Sequence, residues 1–176
     1  MRKITFGVAT SLDNYIASTD DAIDWLMPSP EAAAVLADYW KRIDTILVGR
    51  KTYDVALRRG QGGAFQSPGT KTYVFSRTLT PGEQGNVTIV PSDAIEFVRA
   101  LKERKGKEIS LVSGGELASA LFEAGLIDEI RMNIHPLLLG SGVPLFHPMT
   151  GQIALELLES KQFPNGCVLV RYGLKR

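Results

Sequence analysis

The chain has 176 residues, 44% of them hydrophobic and 22% charged, and a formal net charge of +1. That length suits one domain of about 100–200 residues, read here over 1–176, and the apolar share excludes a disordered chain. Near-neutrality gives no electrostatic case for nucleic acid or an anionic membrane, and the single cysteine, Cys167, excludes a disulfide framework or a cysteine-rich zinc site. No run reaches the about 18 apolar residues of a membrane helix. Met1-Arg2-Lys3 leads into a strand-like run rather than a secretory signal, so a reducing, cytoplasmic location is expected.

In chain order, Lys3–Thr10 reads as a buried strand and Leu12–Tyr15 as a turn. Asp20–Asp24 is acidic and loop-like, closed by Trp25, Leu26, Met27 and Pro28. Over Glu31–Arg42 the apolar residues Val35, Leu36, Tyr39 and Trp40 fall near helical spacing, with Pro30 suited to the first turn. Thr45–Val48 is a strand, and Gly49-Arg50-Lys51-Thr52 opens a short helix through about Leu57. Arg58–Gly69 is glycine-rich and reads as a surface loop. Tyr73–Phe75 and Val87–Val90 are strands, after which Ser92 or Asp93 caps a helix through about Glu103. Ile109–Val112 is a strand; Ser113-Gly114-Gly115 breaks it into a helix over Glu116–Ala124, stopped by Gly125. Ile127–Leu138 reads as one long strand. Ile153–Phe163 and Val168–Leu174 flank the hairpin turn Pro164-Asn165-Gly166. Helical crossovers imply parallel pairing and the closing hairpin antiparallel pairing. The expectation is an α/β fold: a mixed, mostly parallel sheet with helices on both faces and a C-terminal antiparallel hairpin.

The chemistry gathers at strand-to-helix junctions. In Ile46-Leu47-Val48-Gly49-Arg50-Lys51-Thr52, glycine allows close backbone approach, and helix N-terminal amides plus two cations suit a phosphate. Val112-Ser113-Gly114-Gly115-Glu116 repeats the logic without the cations and suits a pyrophosphate. Ser76-Arg77-Thr78 follows a third strand end. Each is singly compatible with an ordinary βα turn; together they favour a dinucleotide, and Arg50 with Arg77 favours one carrying a 2′-phosphate. The ordinary Rossmann glycine fingerprint is absent.

These residues bring a resemblance into view. Val8-Ala9-Thr10-Ser11-Leu12-Asp13-Asn14-Tyr15-Ile16-Ala17 resembles the opening of the dihydrofolate-reductase-like superfamily, and more closely the S-L-D-G-x-I-A pattern of the reductase domain of the riboflavin-pathway deaminase–reductase. Val48-Gly49-Arg50-Lys51-Thr52-Tyr53 resembles the superfamily's G-R-x-T-[WY] nucleotide motif, and Ser113-Gly114-Gly115 its phosphate loop. Gly125-Leu126-Ile127-Asp128-Glu129 and Pro136-Leu137-Leu138-Leu139-Gly140-Ser141-Gly142 resemble G-L-[IV]-D-E and P-x-x-x-G-x-G of the riboflavin-type branch. The likeness runs in order from about Lys3 to Leu174. It implies a three-layer reductase domain using NADPH. Ala9 and Ile16 would flank the nicotinamide. Gly49, Arg50, Lys51 and Thr52 would meet phosphates, and Ser76 and Arg77 the 2′-phosphate region. Ser113, Gly114, Gly115, Glu116 and Leu117 would wrap the pyrophosphate. Two departures stand out: Asn14 replaces the usual glycine, and Ser113 the first glycine of a triplet.

The substrate side is sparser. Asp13, in the motif beside the nicotinamide, and Glu31, near the start of the first helix, are the candidate catalytic carboxylates. Asp13 could equally be a turn residue and Glu31 a surface helix-start residue. Trp25 is a stacking wall or core. His135 and His147 lack metal-ligand spacing, so no metal is expected, and His135 reads as a structural histidine. The zinc-deaminase signature is absent. The resemblance implies an NADPH-dependent reductase of a small heterocycle of the riboflavin pathway. A dihydrofolate or pteridine reductase, or a non-catalytic NADP-binding protein, is the alternative. It also implies a homodimer built on the C-terminal strands.

Overall fold

Ile46, Leu47 and Val48 follow one another without a polar break, and all three are buried. Such a run requires cover on both faces of its strand. The computed structural model of the chain, which describes residues 1–91 and 93–175, supplies that cover. In chain order the elements are β1 (Ile4–Ser11), β2 (Tyr15–Ala17), α1 (Pro30–Trp40), β3 (Ile43–Gly49), α2 (Arg50–Arg58), β4 (Lys71–Phe75), β5 (Gly82–Gln84), β6 (Val87–Val90), α3 (Ala94–Glu103), β7 (Glu108–Leu111), α4 (Gly115–Glu123), β8 (Glu129–His135), β9 (Val143–Pro144), β10 (Leu155–Gln162) and β11 (Val168–Leu174).

One sheet runs in the order β10-β11-β8-β1-β7-β3-β4-β6-β5, and β2 pairs with β9 in a small second sheet. From β8 to β6 all neighbours are parallel, while β11 and β10 at one edge and β5 at the other are antiparallel. This is the mixed sheet that the alternation of helices and strands implies. Ile4, Phe6, Leu47, Ile109 and Leu111 face α3 and α4, packing with Val98, Leu101, Leu121 and Phe122. Ile46, Val48 and Val74 face the other way, against Tyr39 of α1 and Tyr53 of α2. Alternate residues of one strand thus feed two cores.

Several boundaries differ from the sequence reading. The run Ile127–Leu138 is strand only over β8, because Pro136 cannot donate to the ladder and Leu138 lies exposed. The glycine-rich segment after α2 holds a 3-10 turn, Gly62–Gln66, that buries Phe65. Strands β2, β5 and β9 are too short to carry an alternating pattern. Asp93 caps α3, its carboxylate accepting from Ile95 N at 2.7 Å; Ser92, the other candidate, lies outside the described residues.

Buried charges hold the helices in place. Lys102 of α3 donates to the Leu126 carbonyl at 2.8 Å and to Asp128, which also accepts the Ile4 amide at 2.8 Å. Glu129 is paired with Lys3 and Arg171. The G-L-I-D-E segment is therefore a structural clasp for the start of β1.

Candidate functional site

Helix beginnings distinguish one edge of the molecule. Helix α1 starts on Ser29, whose hydroxyl accepts from Ala32 N at 3.3 Å, and α3 starts on Asp93. Helices α2 and α4 start on Gly49 and Gly114 with no side-chain cap. Their first-turn N–H groups, which have no intrahelical acceptors, stay available to an outside acceptor. Strands β7 and β3 are parallel neighbours, so the two uncapped helices open side by side at the carboxyl edge of the sheet. In open α/β sheets that edge is where ligands bind.

The two junctions are bolted together. The Ser113 hydroxyl accepts the Gly49 amide at 3.2 Å, and the Thr52 hydroxyl accepts the Gly114 amide at 3.1 Å. A Cβ on Gly49 would stand 2.7 Å from the Ser113 hydroxyl, so the strand end passes close beneath the loop. Ile16 reaches the same place, 3.7 Å from a Cβ built on Gly114. The third junction joins through Arg50, whose guanidinium donates to the Thr78 hydroxyl and to Asp54 at 3.1 Å. Ser76 is buried, its hydroxyl accepting the Thr78 and Leu79 amides at 3.2 and 2.9 Å. Arg77 is exposed and makes no hydrogen bond or ion pair among the described residues. Lys51 and Glu116 face each other across the opening at 3.8 Å, both exposed.

The structure thus brings Gly49, Thr52, Ser113, Gly114 and Ile16 into contact, with Leu117 beneath Gly49 and Arg50, Lys51, Ser76, Arg77 and Glu116 around them. Ala9 lies on β1, the next strand beyond β7. Gly115 is placed differently from a residue that faces a ligand through its α-carbon. A Cβ there would stand 2.8 Å from the Leu145 carbonyl, so this glycine seats α4 against the chain at 145–147.

The candidate carboxylates are both engaged. Asp13 accepts from the Ser11 hydroxyl at 2.6 Å and from the Leu139 and Gly140 amides at 3.1 and 2.8 Å. The Ser11 hydrogen bond foremost, then the two amides, hold its carboxyl below the usual carboxylate value. Glu31 lies exposed in the first turn of α1 and accepts the Ser29 hydroxyl at 2.7 Å, which lowers it likewise. Trp25 sets its edge against His135, centroids 5.5 Å apart. His135 is buried, accepts the Met27 amide on Nδ1 at 3.2 Å and lies 3.3 Å from the Cys167 sulfur. Burial lowers its pKa, consistent with a neutral structural histidine.

A relationship between two motifs was not visible in the sequence. Asn14 takes the left-handed conformation, φ 64°, that the usual glycine would favour. Its carbonyl accepts the Leu145 amide at 2.9 Å, and a Cβ on Gly142 would stand 2.2 Å from the Ala17 carbonyl. The S-L-D-N-Y-I-A and P-L-L-L-G-S-G segments therefore form one junction, with Asp13 as its pin. Among the described residues no cluster of His, Cys, Asp and Glu could hold a metal ion, and no helix is long and apolar enough to cross a membrane.

The fold and this edge define an open α/β protein with paired, uncapped helix N-termini along a parallel sheet. The chain belongs to the RibD C-terminal domain family, whose model matches residues 2–169. It is 34% identical to the uncharacterized protein YyaP of Bacillus subtilis (strain 168), over 97% of this chain and 94% of that one. It is 32% identical to the riboflavin biosynthesis protein RibD of Mycobacterium tuberculosis, over 80% of this chain but 44% of that protein. Among solved structures, a protein of Shewanella sp. PV-4 ascribed to riboflavin biosynthesis superposes with a TM-score of 0.82 at 29% identity, each chain fully covered. The mixed α/β fold and its family are those of RibD reductase-like proteins.

Proposed function

We propose that the chain is an NADPH-dependent reductase of a small, flat, polar heterocycle, of the 5-amino-6-(5-phosphoribosylamino)uracil reductase type. The observation that carries this reading is the pair of helices, α2 and α4, that start on glycine without side-chain caps at adjacent strand ends. Orphaned N–H groups in two neighbouring helix termini fit the two phosphates of a dinucleotide. Gly49, Thr52, Ser113 and Gly114 would hold the pyrophosphate. Arg77, exposed and unpaired among the described residues, would meet a 2′-phosphate, with Ser76 setting the turn that presents it. Ala9 and Ile16 would line the nicotinamide end. The bound cofactor would supply a hydride.

This chain's own part is positioning and proton control. Asp13 and Glu31 both have lowered pKa values, so each is an anion at neutral pH. Either would act by orienting a proton-bearing water rather than by giving up its own proton. Asp13 additionally fixes the 139–140 loop, so it couples the cofactor edge to the substrate side. Two copies would pair through the outer antiparallel strands, where β10 exposes Leu155, Leu157 and Leu158.

The test is steady-state NADPH oxidation against dihydrofolate, dihydropteridines and the ribosylaminopyrimidine of the riboflavin route. Turnover of the pyrimidine is expected. Efficient turnover of dihydrofolate, lost in Glu31→Gln, would replace this reading with the pteridine one.

A further inference from the structure

The face of the sheet beneath α1 contains a cation with no ion-pair partner among the described residues. Arg131 of β8 is buried, 8% exposed, and stacks on the Tyr39 ring with its guanidinium carbon 4.7 Å from the centroid. Among the described residues it has neither a hydrogen-bond acceptor nor an ion-pair partner. The neighbouring charges are already matched: Lys3 and Arg171 with Glu129, Arg171 also with Glu159, and Arg42 with Glu108. Three carboxylates answer three cations, and Arg131 is left over. An uncompensated buried charge is costly, and a bound anion would offset that cost.

Beside Arg131 the sheet surface is open at one position and polar around it. Its register partner on β1 is Gly7, a half-buried glycine in a central strand. A Cβ built on Gly7 would meet nothing within 4 Å. Ala9, next on the same face, presents only a methyl group. Its register partner Asn133 has a buried amide oxygen without a hydrogen-bond partner, and the Thr5 hydroxyl on the other side of Gly7 is equally unpartnered. An open space over bare backbone, one unpaired guanidinium and two unsatisfied polar atoms lie within a few residues on two adjacent strands. Buried polar groups are left unmet this seldom unless something else meets them.

We infer that the slot between α1 and strands β1 and β8 binds a small planar carboxylic acid group, gripped by Arg131. Tyr39 covers one face of the guanidinium, which leaves the in-plane N–H edge for a two-pronged bond to a carboxylate. Gly7 and Ala9 provide a flat floor, and the Thr5 hydroxyl can donate a further hydrogen bond to the carboxylate, while the Asn133 Oδ1, an acceptor, suits a donor elsewhere on the ligand. The rival is an internal ion pair with Glu159, whose charge reaches Arg131 although its carboxylate bonds Arg171 at 2.7 Å. The inference rests on the reductase reading only in making this slot the acceptor's seat; the carboxylate site itself is tested without cofactor.

Calorimetric titration of the whole chain with benzoate, its neutral counterpart benzamide, and inorganic phosphate decides it. Benzoate is expected to bind about tenfold or more tightly than benzamide, and more tightly than phosphate. Arg131→Met removes that preference and Arg131→Lys keeps part of it. Gly7→Val, which fills open space in a strand, abolishes benzoate binding while thermal stability and NADPH affinity persist. Equal binding of benzoate and benzamide, no benzoate binding, tighter phosphate binding, or full binding in Arg131→Met or in folded Gly7→Val would each overturn the inference. NADPH turnover without benzoate binding would sink this inference and leave the reductase reading standing; benzoate binding without any NADPH binding would do the reverse.

Discussion

The hydroxyl of Ser113 accepts the backbone amide of Gly49, 3.2 Å away across two neighbouring strand ends. The serine that departs from a glycine triplet thus does structural work at the proposed phosphate site, holding one helix entrance against the other. Ser113→Ala leaves the Gly49 amide without its acceptor. A net hydrogen bond is worth about 1 kcal/mol, so folding stability should fall by about that much, and NADPH affinity should fall with it as the two helix entrances lose their register. Fluorescence titration measures this; an unchanged affinity would show that the bond does not shape the site.

Lys102 is buried, and Asp128 is its carboxylate partner. Asp128→Ala strands that ammonium group and also removes the acceptor of the Ile4 amide. Loss of about 3 kcal/mol is expected in urea unfolding, at the lower end for a broken buried pair because Asp128 is partly exposed. A loss below about 1 kcal/mol, the scale of a surface pair, would contradict the clasp described for this segment.

Acid should weaken the same region through Glu129. Burial pushes its carboxyl pKa up, but Arg171 and Lys3 outweigh burial and leave it below the usual value. A depressed folded pKa gives stabilisation that is complete above the unfolded value, about 4.3, and disappears as pH falls from there through the folded value. Unfolding midpoints should drop steeply over that window, and Glu129→Gln should flatten the drop while lowering stability at neutral pH. Parallel pH profiles for the two proteins would remove Glu129 from the account.

The outer strand β10 exposes Leu157 and Leu158 by 55% and 50%. Light scattering at micromolar protein should give twice the chain mass, and Leu157→Glu should shift it toward the monomer. A concentration-independent monomer mass would reject pairing through this edge.

Much of this was legible in the sequence because strong local signals agreed. Val48-Gly49-Arg50 and Val112-Ser113-Gly114 mark strand-to-helix switches by composition, and Pro164-Asn165-Gly166 closes the hairpin where its turn chemistry says it should. Other features depend on partners distant in the chain. The seating of Gly115 against Leu145 and the pin from Asp13 to Gly140 are tertiary contacts, invisible to periodicity. Arg131-Met132-Asn133-Ile134-His135 alternates as a strand should, yet only the sheet register shows that its polar members face Gly7, Ala9 and α1. Glycine in a buried run was the one available hint of open space there.

The central claim is that the paired helix entrances bind NADPH. Direct titration of NADPH and NADH, followed by cofactor fluorescence, examines it with no substrate required. Saturable binding is expected, with NADPH favoured by about tenfold or more, and Arg77→Ala should narrow that gap, since a charge-assisted hydrogen bond is worth about 1.5–3 kcal/mol. No saturable binding of either nucleotide, or equal affinity for the two, would contradict the assignment of this edge as a 2′-phosphate dinucleotide site.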